Sequence, residues 1–226
     1  AYEIKECDWS SDVCSSDLEK YGLTDNRFIP VMPPKHLDFM QFKDIASNLE
    51  KIDFFGGEPL LNFDLIKHAV PKLKADTKCK GINIITNLTM IDDEKATYLQ
   101  ENGVGVSWSF DGMSSNETRP LLPLLENTNP ETGELFNGIL DMYNYKKDLI
   151  TNLTNGCKVM IWPGNTKDMT ENFEFLIDWG IEHPDFSIVR DDVWTREDLV
   201  DFHTECRRLT DKWIEKLKAG IPCSVG

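Results

Sequence analysis

No apolar run in this chain approaches the roughly 18 to 20 residues that a membrane-spanning helix needs. The first residues also lack the basic and apolar regions of a secretory signal. A cytoplasmic protein with no membrane partner is expected. Positive charge is scarce as well: Lys and Arg number 24 against 39 Asp and Glu, giving a formal net charge of −15 and a pI near 4.6. The basic patch that nucleic acid or an anionic bilayer requires is hard to assemble from such a chain, so no nucleic-acid partner is expected. A cationic or zwitterionic small ligand suits it better. There is no disulfide framework either, because Cys7, Cys14, Cys79, Cys157, Cys206 and Cys223 are widely scattered, which leaves buried thiols or metal ligands as their roles. His36, His68, His183 and His203 show no ligand spacing, and structural or solvated roles are expected for all four.

What is present is organised around Ile52-Asp53-Phe54-Phe55-Gly56-Gly57-Glu58-Pro59-Leu60-Leu61, where an apolar run stops at two glycines and a carboxylate. A strand covered by helices on both faces needs no alternation. The paired glycines allow close backbone approach, Glu58 places an anionic acceptor beyond the strand, and Pro59 stiffens the exit. A plain glycine turn between strand and helix is the alternative reading.

Helix and strand alternate around this stretch. Tyr2 to Lys5 forms a short alternating segment, and Leu37, Met40, Phe42, Ile45 and Leu49 predict a helix over about residues 36 to 50. Phe63, Ile66, Val70 and Leu73 predict a second helix, followed by a strand from Ile82 to Asn87. Asp92 caps a third helix that stops at Asn102-Gly103, and Val104 to Phe110 is the next strand. After a loop from Pro120 to Gly138, a helix runs from Ile139 to about Ile150 and a strand from Lys158 to Trp162. A helix ending near Gly180 and a strand from Phe186 to Val189 follow. Leu199, Phe202, Cys206, Leu209, Trp213 and Leu217 step by three or four, the stripe of a helix lying on a sheet, with Cys206 in the core.

This order predicts an α/β fold, a partial (β/α)6 TIM-like barrel with parallel strands, as a single domain over residues 1–226. Ligands in such folds sit at the carboxyl ends of strands. Those ends carry Gly56-Gly57-Glu58, Thr86-Asn87, Ser109-Phe110-Asp111-Gly112, Pro163-Gly164-Asn165 and Arg190-Asp191-Asp192.

In their order and spacing, Gly56-Gly57-Glu58-Pro59, Thr86-Asn87 and Ser109-Phe110-Asp111-Gly112 resemble the radical S-adenosylmethionine (radical SAM) superfamily, over about residues 19 to 220. The Ser-x-Asp-Gly ending and Glu19-Lys20-Tyr21-Gly22 are most similar to its peptide- and sulfatase-maturing, SPASM-like branch. The resemblance implies two cofactors, S-adenosyl-L-methionine and a 4Fe-4S cluster. It implies an oxidoreductase, a maturase, that abstracts hydrogen from a peptide or protein substrate and is supplied by an electron donor such as flavodoxin or ferredoxin. By the same resemblance, Gly56, Gly57, Glu58 and Pro59 receive the methionyl ammonium, and Asn87 and Ser109 bond the methionyl or ribose part. Asp111 faces the substrate or holds its turn. Asn165 and Arg190 contact ribose or carboxylate, the simpler reading of Arg190 being a salt bridge to Asp191 or Asp192. No catalytic residue is assigned. An auxiliary cysteine-rich region is expected after Gly226, with Cys223 either its first ligand or a tail residue.

The family holds its cluster with a Cys-x3-Cys-x2-Cys loop, and here the sequence departs from the pattern. Cys7 and Cys14 have the outer spacing of that loop, but the middle position is Ser11, whose hydroxyl is a poor substitute for a soft thiolate. Asp8 to Leu18 has neither helical nor strand period and resembles the translation of a sequencing-adapter oligonucleotide. It is read as an artefact standing where the cluster loop belongs. Cys7 and Cys14 remain the metal candidates, and a cluster-free barrel binding S-adenosylmethionine or a peptide is the alternative function. Resequencing the coding DNA across residues 7 to 19 is expected to restore a loop with three cysteines. A loop without them removes the radical reading.

Overall fold

The computed structural model describes residues 50–55, 58–76, 78–121, 128–190 and 193–226. Cys7, Cys14, Gly56 and Gly57, the Tyr2 to Lys5 segment and nearly all of the helix expected at 36 to 50 lie outside these residues. The chain divides into two compact units, Ala1–Ser107 and Trp108–Gly226. Among the described residues five strands form one sheet, in chain order.

In the first unit, β1 (Lys51–Phe54) pairs in parallel with β2 (Gly81–Thr86), from Lys51 opposite Gly81 to Phe54 opposite Ile84. The crossover between them is α1 (Phe63–Asp76). Its buried residues Ile66, Ala69, Val70 and Leu73 recur at helical spacing, the apolar stripe that drives such a helix onto a sheet. Pro71 sits within α1 on its exposed side. Asp92 caps α2 (Asp93–Glu101) by accepting from the Lys95 N–H at 2.8 Å. The helix stops at Asn102, followed by Gly103 at φ 54°. Next comes β3 (Val104–Ser109), tied to β2 by Asn83 Nδ2 donating to Ser107 Oγ at 3.1 Å.

The second unit continues in parallel. β4 (Gly156–Ile161) pairs with the end of β3, Trp108 opposite Cys157, and with β5 (His183–Ile188) over its whole length. A 3₁₀ turn and the short α3 (Ser115–Thr118) follow β3. The helix expected over 139 to 150 is two helices, α4 (Ile139–Tyr145) and α5 (Lys147–Leu153), broken at Lys146. The core here is aromatic: Trp108 stacks on Phe110 with centroids 4.1 Å apart, and Tyr143 meets Trp108 edge-on at 5.0 Å. α6 (Met169–Trp179) closes at Gly180, whose φ of 110° favours glycine. The Ile181 N–H reaches back to the Leu176 carbonyl at 2.9 Å.

The final helix, α7 (Arg196–Lys218), starts with a reciprocal capping box between Thr195 and Asp198. Its packing corrects the sequence expectation. α7 contacts α6 and the 3₁₀ turn Thr166–Asp168, and its apolar stripe is only partly covered. Leu199 and Leu217 are about half exposed and Cys206 is only partly buried, whereas Leu209 is buried. The reason is a carboxylate. Glu205, 4% exposed, accepts from the Thr170 N–H at 3.2 Å and its hydroxyl at 2.7 Å. It thereby satisfies a donor at the N-terminus of α6, where backbone N–H groups lack partners and negative charge is favoured. Arg208 bridges Glu205 to Glu171.

One pairing has no signal in the sequence. Ser224 N–H donates to the Glu182 carbonyl at 2.9 Å, Gly226 N–H to Pro184 at 3.2 Å, and Phe186 N–H to Gly226 at 3.2 Å. Bonds that flank Asp185 on both sides have the parallel-ladder pattern, so Ser224 to Gly226 run alongside β5. Trp213 Nε1 holds the Cys223 carbonyl at 3.0 Å, and Cys223 itself is buried. No helix of the described residues is long and apolar enough to cross a membrane. Glu205→Ala is expected to lower unfolding stability by about 2 kcal/mol, the worth of hydrogen bonds to a buried charged group, measured by equilibrium urea denaturation.

Candidate functional site

The sequence-derived site residues fall in both units, and each unit builds its own set of contacts. In the first, Glu58 follows β1 and is 9% exposed. It is the N-cap of the 3₁₀ turn Pro59–Asn62, with Pro59 at the first position, where its missing N–H costs nothing. Glu58 Oε1 accepts from the Leu60 N–H at 3.0 Å and from Thr86 Oγ1 at 2.5 Å, and Oε2 accepts from the Asn87 N–H at 2.9 Å. One carboxylate thus joins the exit of β1 to the carboxyl end of β2. Asn87 Oδ1 accepts from the Thr89 N–H at 2.9 Å and its hydroxyl at 2.8 Å, a turn that Asn side chains stabilise. Between them Leu88, fully buried, has φ 58°. A left-handed, non-glycine residue persists only where its surroundings hold it.

Glu58 and Asn87 are therefore brought together, and Thr86 and Leu88 join them. The sequence singled out Thr86 only as part of a motif; that its hydroxyl touches Glu58, 28 residues away, has no local signal.

In the second unit Ser109 is half-buried at the end of β3. Asp111, 0% exposed, uses every polar atom it has. Oδ1 accepts from the Met160 N–H at 2.9 Å and from Arg119 Nη2 at 3.3 Å. Oδ2 accepts from Arg119 Nε and from Thr118 Oγ1, each at 2.8 Å. The Asp111 N–H donates to Ser115 Oγ at 3.1 Å, and its carbonyl accepts from Asn172 Nδ2 at 3.0 Å. These bonds extend β3 towards β4 past the end of the ladder and hold the following turn. Gly112 serves the same turn: its φ is 62°, and a Cβ there would fall 1.9 Å from Asn172 Oδ1. Arg119 is 1% exposed, and its Nη1 finds no hydrogen-bond partner among the described residues.

Asn165 is buried after β4, where Oδ1 accepts from the Trp162 N–H and Nδ2 donates to the Met160 carbonyl, both at 2.9 Å. Arg190 is exposed after β5, and its sequence partners Asp191 and Asp192 lie outside the described residues. Burial pushes Cys157 well above the usual range, with the Asp111 charge adding to the effect, and burial also raises Cys206 and Cys223. Among the described residues no group of three His, Cys, Asp or Glu is arranged to hold a metal ion, so a 4Fe-4S cluster has no ligand set there.

A buried carboxylate held by N–H and O–H donors is a ready partner for a cationic group. No protein-family model matches the chain. It is 31% identical over 166 residues to the uncharacterised protein MJ0907 of Methanocaldococcus jannaschii, covering 69% of this chain and 54% of that protein. It is also 31% identical over 116 residues to the radical SAM cyclopropyl synthase TigE of Paramaledivibacter caminithermalis, covering 49% of this chain and 24% of that one. The chain thus spans about half the length, or less, of these relatives. Among solved structures, native anSMEcpe with bound AdoMet superposes with a TM-score of 0.59 at 17% identity, covering 81% of this chain and 52% of that one. The same protein with bound AdoMet and a peptide gives 0.58. This likeness shows a shared fold, the α/β class with parallel strands expected from the sequence.

Asp111→Asn is expected to destabilise the chain by about 3 kcal/mol, because it leaves the Arg119 charge buried without compensation. Adding Arg119→Met should recover part of the loss, with both variants measured by chemical denaturation.

Proposed function

We propose that this chain is the core of a radical SAM enzyme of the peptide- and sulfatase-maturing branch. The observation that carries this is the buried Glu58 carboxylate bonded to Thr86 and Asn87, which joins two of the three family motifs at neighbouring strand ends. Similarity to a named radical SAM synthase and a fold shared with an AdoMet-bound protein support it.

In this reading the methionyl ammonium of S-adenosylmethionine lies against Glu58 and the backbone of Gly56, Gly57 and Pro59. Asn87 contacts the methionyl or ribose part. Ser109, Asn165 and Arg190 are the further cofactor contacts proposed, Asn165 acting from a position fixed by its own hydrogen bonds, while Asp111, buried with all its polar atoms engaged, holds the turn after β3. Cysteines in the region of Cys7 and Cys14 would hold the 4Fe-4S cluster, which together with S-adenosylmethionine would supply the radical chemistry that removes hydrogen from the substrate. The cofactors carry this chemistry, and the protein's part is to bind, orient and exclude water. A peptide or protein substrate fits the peptide complex of the structural neighbour, and flavodoxin or ferredoxin is the donor proposed.

Titrating the chain with S-adenosylmethionine by calorimetry is expected to show binding that Glu58→Gln weakens at least tenfold, about the worth of one charge-assisted hydrogen bond. With the cysteine loop restored and iron and sulfide reconstituted anaerobically, 5′-deoxyadenosine should form. Binding without 5′-deoxyadenosine after reconstitution favours the cluster-free reading, and no binding at all removes the S-adenosylmethionine site.

A further inference from the structure

We infer that Thr86 is a positioning residue for the ligand-facing carboxylate of Glu58, a role that rests on the proposed S-adenosylmethionine site. A hydroxyl has one proton and two lone pairs, whereas an ionised carboxylate only accepts. At 2.5 Å from Glu58 Oε1, the Thr86 proton must therefore point at the carboxylate. Its lone pairs are then left for the Leu88 N–H, which donates to the same Oγ1 at 3.0 Å. The hydroxyl is a relay of fixed polarity between a backbone amide and an anion.

The relay sets two things together. It holds Leu88 in its left-handed conformation at φ 58°, which costs an L-residue about 1–2 kcal/mol unless compensated. That turn begins at Asn87, whose own N–H meets Oε2 at 2.9 Å. Both carboxylate oxygens are thus gripped from adjacent residues of one strand end, with Leu60 N–H on Oε1 from the other side. A glutamate side chain has three torsions to lose, and with them fixed in advance less ordering remains when a cation arrives.

Valine has the shape of threonine without the hydroxyl, and serine has the hydroxyl without the methyl. Thr86→Val removes both bonds of the relay and leaves the buried Leu88 N–H without that acceptor; Thr86→Ser keeps them. The probes are S-adenosylmethionine and 5′-deoxy-5′-methylthioadenosine, which shares the adenosine but has no ammonium. Thr86→Val is expected to weaken S-adenosylmethionine binding about tenfold and methylthioadenosine no more than about twofold, while Thr86→Ser stays within about threefold of the wild type for both. Amide exchange at Asn87 and Leu88 should quicken in Thr86→Val and not in Thr86→Ser. Equal weakening of both probes would mean that Thr86 only supports the fold, and wild-type affinity in Thr86→Val would mean that the relay is idle; either overturns the inference. If the wild type binds methylthioadenosine but not S-adenosylmethionine, or neither, the proposed site itself fails and this role falls with it. The wild type's own affinity for S-adenosylmethionine separates the two failures.

Discussion

A carboxylate cannot be buried without hydrogen-bond donors, and among the described residues three acids are arranged around that requirement. Glu58, Asp111 and Glu205 are buried, whereas the other acids among the described residues stand mostly in solvent. Each faces donors from a different stretch of chain: Thr86 and Asn87 for Glu58, Met160 and Arg119 for Asp111, Thr170 for Glu205. The desolvation cost of each acid is offset only when those stretches are in place. Each therefore makes one arrangement of its neighbours much better than the alternatives. Apolar packing supplies most of the cohesion, but these acids determine where strand ends and helix starts meet.

Most of the architecture could be read from spacing and capping. Leu99 and Ala96 behind Asp92, the stop at Asn102-Gly103 and the glycine after Trp179 are local rules, and they located α2 and α6 to within a few residues. Where tertiary demands override periodicity the reading fails. The stripe on α7 looked continuous, yet Leu199 and Leu217 are half exposed, because the helix is registered by Glu205 reaching the start of α6. No pattern in Pro222 to Gly226 announces that its end runs beside β5, since the pairing is made by backbone groups that any sequence carries.

The site was legible at the level of motifs and not at the level of bonds. Glu58, Asn87 and Asp111 stand out because they follow apolar runs at the carboxyl ends of strands, where parallel α/β sheets bind ligands. Arg119 gave no such sign: it lies eight residues beyond Asp111 in a short helical turn, and only the folded backbone turns that separation into a 2.8 Å contact. Leu88 was equally silent, since a left-handed leucine is a property of its surroundings and not of its type. The cysteines mark the opposite limit. Cys7 and Cys14 had spacing without context, and both lie outside the described residues.

The run of Ser224 to Gly226 beside β5 has a consequence for solubility. A bare strand offers alternate N–H and C=O groups to any passing extended chain, and such an edge templates intermolecular sheet growth. Here the groups of Glu182, Pro184 and Phe186 are already engaged by the chain's own backbone, and Trp213 anchors the approach from α7 through the Cys223 carbonyl. The segment works as a selvage, a woven border that keeps that side of the cloth from unravelling into its neighbours.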